Sequence, residues 1–282
     1  MIEALFYDKD GTKVHCWLCP HNCAIPDGGF GICGVRQNQK GKLYSLIYGE
    51  ITALALDPIE KKPLYHFFPR SHILSVGTRG CNLACSFCQN WSISKTLTAP
   101  TEKVESEFLI RRAQEVDSIG IAYTYNEPSI WYEFVFETAQ KAKEAGLKNV
   151  LVTNGYISKE PLEQLLPFID AMNIDIKSID EGFYRKVCGG SLAPVLETIK
   201  KSCKHCHVEL TNLIIPTLND STQEFEKLVD WVYENLGEGV PLHFSRYFPS
   251  YKLSLEPTPI ATLRQAEAIA KKKLRYVYLG NV

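Results

Sequence analysis

The stretch Ile73-Leu74-Ser75-Val76-Gly77-Thr78-Arg79-Gly80-Cys81-Asn82-Leu83-Ala84-Cys85-Ser86-Phe87-Cys88 joins a short apolar run to a loop carrying three cysteines. The run from 73 to 77 has the length and composition of a buried strand. The spacing C-x3-C-x2-C behind it sets three thiolates on one tight loop. A structural zinc site closes with four protein ligands, and an ordinary four-iron cluster takes four cysteines. A loop that offers three thiolates to a four-iron cluster leaves one iron open for chemistry. The competing reading is a fragment of a zinc site completed from elsewhere in the chain.

Outward from this loop, strand-like and helix-like segments alternate. Strand candidates follow at 119–125, 149–153, 171–176, 207–213 and 241–246. Helical patterns lie at 104–116, 130–145, 159–166, 192–201 and 222–236, with Gly146 and Gly237 where helix C-termini are expected. A last helical pattern at 262–272 precedes 275–279, a candidate for one further strand. Six β/α units in a row imply an α/β fold with a parallel sheet. Six units are too few for a closed eight-stranded barrel and suit a partial (β/α)6 barrel of the TIM type. Residues 1–70 differ in composition: Cys, Gly and Pro recur among short alternating segments. They read as a small Cys-rich metal-binding extension with short strands, before a core at 71–282. Within it, 43–56 reads as one or two strands, broken by Lys61-Lys62-Pro63.

A chain of 282 residues can bury one large core, or one core plus a small appendage. A formal net charge of -1 supplies no basic field for nucleic acid. No apolar run approaches membrane-spanning length, and the first residues lack the pattern of a secretory signal. Ten cysteines without an export signal point to metal ligands or free thiols rather than disulfides, in a cytoplasmic and reducing setting.

A second cysteine set precedes the core. Cys16, Cys19, Cys23 and Cys33 make a quartet, so a closed site is expected, holding either zinc or a second iron–sulfur cluster. His21 is an alternative zinc ligand. The run Cys203-Lys204-His205-Cys206-His207 matches the attachment signature of c-type haem. It falls between a helix end and a buried strand, so Cys203 and Cys206 read as packing thiols, as does Cys188.

The loop Cys81-x3-Cys85-Ser86-Phe87-Cys88 resembles the cluster loop of the radical S-adenosylmethionine (radical SAM) enzymes, whose pattern is C-x3-C-x-aromatic-C. The resemblance implies a [4Fe-4S] cluster on Cys81, Cys85 and Cys88, with SAM chelating the open iron. It implies an oxidoreductase that cleaves SAM reductively to a 5′-deoxyadenosyl radical, which takes a hydrogen atom from a substrate. It also gives meaning to the barrel's strand ends, where such folds keep their working residues. Asn126 and Glu127, in Tyr125-Asn126-Glu127-Pro128, stand where the family carries a Gly-Gly-Glu-Pro-type motif that meets the SAM amino group. The bland alternative is a strand-to-helix turn with Pro128 at the first helical position. Asp175 and Lys177 resemble the Asp-x-Lys of activating enzymes, and Asn154 their Thr-Asn-Gly. Each is a SAM contact or a local structural group. Asn212 is a ribose contact or a cap, and Arg246 an anion clamp or a surface residue.

Together with Tyr65-His66-Phe67-Phe68-Pro69-Arg70 and the N-terminal Cys19-Pro20-His21-x-Cys23, these motifs resemble one subgroup, the AmmeMemoRadiSam-system enzymes. That subgroup is often labelled as similar to pyruvate formate-lyase activating enzyme. The subgroup implies a flavodoxin or ferredoxin reductant and an association with Memo-like or AMMECR-type proteins. Relatives of this type often continue past Val282 into a segment with a further Cys pair. A glycyl-radical activase is the alternative within the class. A non-catalytic electron-transfer or docking module is the alternative outside it, and needs four ligands at both cysteine sites and no SAM.

Overall fold

The structure, a computed structural model, describes residues 1–282. Eight strands form its main sheet: β1 (Ala53–Pro58), β2 (His72–Gly77), β3 (Gly120–Tyr123), β4 (Lys148–Thr153), β5 (Ala171–Asp175), β6 (His207–Ile214), β7 (Leu242–Arg246) and β8 (Val277–Gly280). They lie side by side in sequence order, and the two end strands do not pair, so the barrel stays open. Strands β2 to β8 are parallel. Both faces of such a sheet are covered, which is why β3 is buried at every position. The covering helices are α1 (Ser106–Glu115), α2 (Tyr132–Glu144), α3 (Lys159–Leu165), α4 (Leu192–Ser202), α5 (Thr222–Leu236) and α6 (Ile260–Ala270). In α5, Phe225, Leu228, Val229 and Val232 recur at helical spacing and form its buried stripe. Gly146 and Gly237 follow α2 and α5 at φ of 76° and 85°, a region in which a side chain is strained.

The partial barrel expected from the sequence is present, with two strands beyond the six units. One is β8, the candidate at the C-terminus. The other is β1, which runs antiparallel to β2 with Ala53 opposite Gly77 and Pro58 opposite His72. The Cys-rich zone thus contributes an edge strand to the barrel. The rest of that zone holds two small antiparallel sheets. One pairs Tyr7–Asp10, Lys13–Cys16 and Cys23–Ile25, and the other pairs Ile2–Glu3, Lys42–Ser45 and Arg36–Gln39. Their apolar residues, among them Val14, Ile25 and Leu43, join one core with Tyr132 and Phe134 of α2. A buried ion pair between Arg36 and Glu133 fastens the two regions, and both groups also bond the backbone of Leu5.

Between β1 and β2, the segment 59–71 turns back through the base of the barrel. Ile59, Leu64 and Phe67 pack on Ile73, Ala122, Val150 and Ala171, near the starts of β2 to β5. Tyr65 meets His243 and Tyr278 on β7 and β8, each with ring centroids 4.7 Å away. Glu209, fully buried on β6, accepts from His66 N at 2.7 Å, His207 Nε2 at 3.0 Å and His243 Nε2 at 2.7 Å. These three donors compensate the burial of a carboxylate. Burial opposes its ionisation, yet the donors hold its pKa down at about 2. The haem-like motif is accounted for here. Cys203 caps α4, and His207 is engaged by Glu209.

Candidate active site

The strand ends set the site. At the end of β2, a Cβ on Gly77 would lie 2.6 Å from Thr124 O, so only glycine permits this close approach to the neighbouring strand. Asn126 then ties the two ends together: its Oδ1 accepts from Thr78 N at 3.0 Å and its Nδ2 donates to Gly80 O at 2.9 Å. The cysteine loop that follows is clamped from two sides. Asn82, fully buried, donates to Tyr156 O at 2.7 Å and accepts from Asn154 Nδ2 at 2.9 Å. On the other side, Ala84 N donates to Cys188 O at 2.7 Å and Ser86 N to Val187 O at 3.3 Å.

Cys81, Cys85 and Cys88 line one cavity of about 390 Å³ at the C-terminal ends of the strands. Donors already face the sulfurs: Leu83 N lies 3.4 Å from Cys81 Sγ, Asn154 Nδ2 lies 3.7 Å from the same atom, and Ser94 Oγ lies 3.1 Å from Cys88 Sγ. Lys95 and Lys177 add positive charge. Burial pushes the Cys81 thiol up to about 12, against the pull of Lys95. Cys85 is shifted down instead, by a hydrogen bond with Cys188 and by Lys177 and Lys95, although burial opposes the shift. Cys188, expected to be a packing thiol, is therefore a neighbour of the cluster loop. No three His, Cys, Asp or Glu side chains converge closely enough to hold a single metal ion. The amide and hydroxyl donors and the two lysines around the three thiols suit the negative charge of a four-iron cluster.

The same cavity is lined by Asn126, Glu127, Asn154, Asp175 and Lys177, which the sequence placed on three strand ends. Their bonds show how much of each is committed to structure. Glu127 accepts from Thr153 Oγ1 at 2.7 Å, Ser129 N at 3.0 Å and Asn154 N at 2.8 Å. Burial raises its pKa, and these donors oppose the rise. It also caps the short helix that opens with Pro128, so the turn reading describes its local role. Asp175 and Lys177 pair at 2.9 Å, with the ammonium 6.0 Å from the Phe87 ring centre.

Asn212 and Arg246 are not brought to the cavity. Side chains alternate faces along a strand, and it is Thr211, Leu213 and Ser245 that face the cavity. Asn212 is turned away and donates to Ile176 O at 2.8 Å. Arg246 Nε donates to Thr258 O at 2.8 Å, with its guanidinium 4.9 Å from the Phe248 ring centre.

The cavity also contains residues that the sequence reading passed over. Lys61 and Lys62, taken only as a break, form part of its wall. Lys62 and Tyr125 both bond Asp57 Oδ2 at 2.8 Å. Burial opposes ionisation of Asp57, but Lys62, Tyr125 and Lys61 hold its carboxyl well below the usual carboxylate range. Tyr125 itself sits at φ 71°, in the left-handed region where the family motif carries glycine. Its phenol is anchored on Asp57, an interaction no glycine can make. Nothing in the sequence signalled that 57, 62 and 125 would meet, because their contact depends on β1 pairing with β2.

The N-terminal quartet lies beside this site. Cys16 and Cys23 stand opposite each other on adjacent strands. Burial, with a contribution from neighbouring thiols, pushes Cys19 up to about 12, and burial raises Cys23 and pushes Cys33 up to about 11. The four share one region, but no three of them stand close enough to hold a single ion. His21, considered as a zinc ligand, places its Nε2 2.7 Å from Asn82 O, which engages one ring nitrogen with the loop of Cys81.

The description "Radical SAM superfamily" matches residues 75–232. An uncharacterized protein of Methanocaldococcus jannaschii is 47% identical over all of this chain and 86% of its own length. A pyruvate formate-lyase-activating enzyme of Clostridium pasteurianum is 27% identical over 69% of this chain and 84% of its own. Among solved structures, Streptococcus suis SuiB bound to S-adenosylmethionine superposes with a TM-score of 0.59 at 15% identity, over 74% of this chain and 52% of that one. The chain belongs to the radical SAM superfamily. Membership implies a [4Fe-4S] cluster and SAM, and relatives include activating enzymes for glycyl-radical proteins.

Proposed function

We propose that this protein is a radical SAM oxidoreductase that takes a hydrogen atom from a substrate still to be identified. The observation that carries the reading is the shared cavity, in which Cys81, Cys85 and Cys88 face Asn126, Glu127, Asn154, Asp175 and Lys177 from three strand ends. When bound, the cluster supplies an electron and SAM supplies the 5′-deoxyadenosyl radical. The three cysteines hold the cluster. Asn154 donates toward Cys81 Sγ, and Lys95 and Lys177 balance negative charge. Asn126, Glu127, Asp175 and Lys177 orient SAM by its ammonium and carboxylate, with Glu127 and Asn126 also fixing the strand ends that shape the cavity. The barrel walls exclude water from the reacting atoms.

A flavodoxin or ferredoxin is the proposed electron donor, and cytoplasmic placement follows from the need for a reducing compartment. The subgroup resemblance adds a Memo-like or AMMECR-type protein as a candidate partner. Metal at the quartet, zinc or iron–sulfur, belongs to the same proposal and requires Cys16, Cys19, Cys23 and Cys33 to draw together around it. A second reading, a glycyl-radical activase, is favoured by the similarity to the clostridial activating enzyme. A non-catalytic module is disfavoured because docking does not need charged and amide side chains gathered in a cavity beside the cysteines.

The test is anaerobic reconstitution with iron and sulfide, then dithionite reduction in the presence of SAM, with 5′-deoxyadenosine measured by chromatography. Wild-type protein should form it and Cys85→Ala should not. Absence of product from the wild type, or undiminished product from the variant, overturns the reading.

A further inference from the structure

One peptide group links the two cysteine regions. The carbonyl oxygen of the Asn82–Leu83 peptide lies 2.7 Å from His21 Nε2, and the N–H of the same peptide lies 3.4 Å from Cys81 Sγ. A carbonyl oxygen only accepts, so His21 carries its hydrogen on Nε2 and donates. Resonance couples the oxygen and nitrogen of a peptide, so a donor at the oxygen makes the N–H a stronger donor. The imidazole thus acts on the Cys81 sulfur through one planar amide.

The geometry is held on every side. The Asn82 side chain is fully buried and bonded to Asn154 and Tyr156, which fixes the residue that carries the carbonyl, and a flip of the peptide would break the bonds at both its oxygen and its N–H. The His21 ring stands edge-on to Tyr156 with centroids 5.1 Å apart. His21 lies in the turn between Cys19 and Cys23. The backbone of Cys33 abuts the same loop, since a Cβ on Gly80 would lie 3.0 Å from Cys33 O.

We propose that His21 is a positioning residue for the catalytic cluster, raising its reduction potential through the hydrogen bond that the Asn82–Leu83 peptide makes to Cys81. The inference rests on the reading of Cys81, Cys85 and Cys88 as cluster ligands. Hydrogen bonds to cluster sulfurs stabilise the more negative, reduced state and so move the potential upward. Loss of His21 leaves the peptide oxygen without its donor, weakens the N–H bond to sulfur, and favours the oxidised cluster. The Cys-rich extension thereby acts on the reaction through a residue that touches neither SAM nor iron.

The test compares full-length wild type, His21→Phe and His21→Gln after anaerobic reconstitution. Iron and sulfide are counted per chain, folding is followed by circular dichroism, and the cluster is titrated redox-wise by electron paramagnetic resonance. In His21→Phe the ratio of reduced to oxidised cluster at a fixed potential should fall about threefold to tenfold, tenfold being 59 mV for one electron. His21→Gln, which retains an N–H donor, should restore much of it. A loaded His21→Phe chain at the wild-type potential overturns the inference and leaves the cofactor reading intact. If His21→Phe folds but does not load while His21→Gln loads, the need for a donor is upheld. If neither loads, although both fold, the donor role is overturned. A wild-type chain that takes up no cluster, or one whose cluster survives loss of Cys85, overturns the cofactor reading and the inference with it.

Discussion

The loop of Cys81, Cys85 and Cys88 and the region of Cys16, Cys19, Cys23 and Cys33 contain the same side chain in opposite surroundings. The first set faces a cavity shared with Lys95, Lys177 and amide donors. The second lies on small sheets outside that cavity, with Cys16 buried and the other three half-buried, and Arg36 pairs with Glu133 while its Nη1 lies 3.9 Å from Cys16 Sγ. The first region offers three ligands, an opening and compensation for negative charge. The second sets four thiols outside that cavity. The contrast teaches that access to the cavity, rather than cysteine content, distinguishes the two sets.

The largest effect should come from exchanging the two regions' cysteines for alanine. Cys85→Ala should reduce 5′-deoxyadenosine to background, whereas Cys19→Ala should leave iron on the first loop. Iron and sulfide analysis beside product chromatography checks both, and equal losses would erase the distinction. The next effect concerns the clamp between the regions. Arg36→Met leaves Glu133 buried without its partner and should cost about 3–5 kcal/mol in urea unfolding of the metal-free chain. An Arg36→Met/Glu133→Leu double variant should recover much of that loss, because it removes both charges.

The base of the barrel, away from both cysteine regions, supplies a pH test of the fold that carries them. Glu209 titrates at about 2 in the folded chain against an ordinary value of 4.5. A depressed carboxyl contributes stability that is present above the ordinary value and is lost as pH falls through the folded one. The unfolding free energy should therefore drop by about 3 kcal/mol between the two values, and Glu209→Gln should flatten that slope. Denaturation series across this range measure it. The smallest effect is expected at Tyr125. Tyr125→Phe removes a hydrogen bond to the Asp57 carboxylate and should cost about 1.5 kcal/mol by thermal melting, leaving both cysteine regions loaded.

Much of the site was legible because chemistry and spacing are local. The three-cysteine loop, Glu127 before Pro128, Asn154, and the Asp175 and Lys177 pair all lie at strand ends, and strand ends can be read from a run of apolar residues. Asn212 and Arg246 failed for a reason equally local in origin. A strand end identifies a neighbourhood but not a face, and the one-residue alternation gave the cavity to Thr211 and Ser245. Lys62, Tyr125 and Asp57 were not legible because they come from three separate segments. His21 was visible as a residue near cysteines, and only its position in the fold showed that it bonds the loop of Cys81, Cys85 and Cys88.

The sequence by itself determined the parallel β/α order, the three-ligand loop and the family, since these depend on periodicity and short spacings that a linear chain carries. Tertiary structure decided which sides of the strands face the cavity, that β1 and segment 59–71 complete the barrel, and that the two cysteine regions touch through one peptide. Those outcomes depend on contacts between residues far apart in the chain. Such contacts follow from how buried surfaces and hydrogen-bond partners are shared across the whole fold, and no local stretch contains that information.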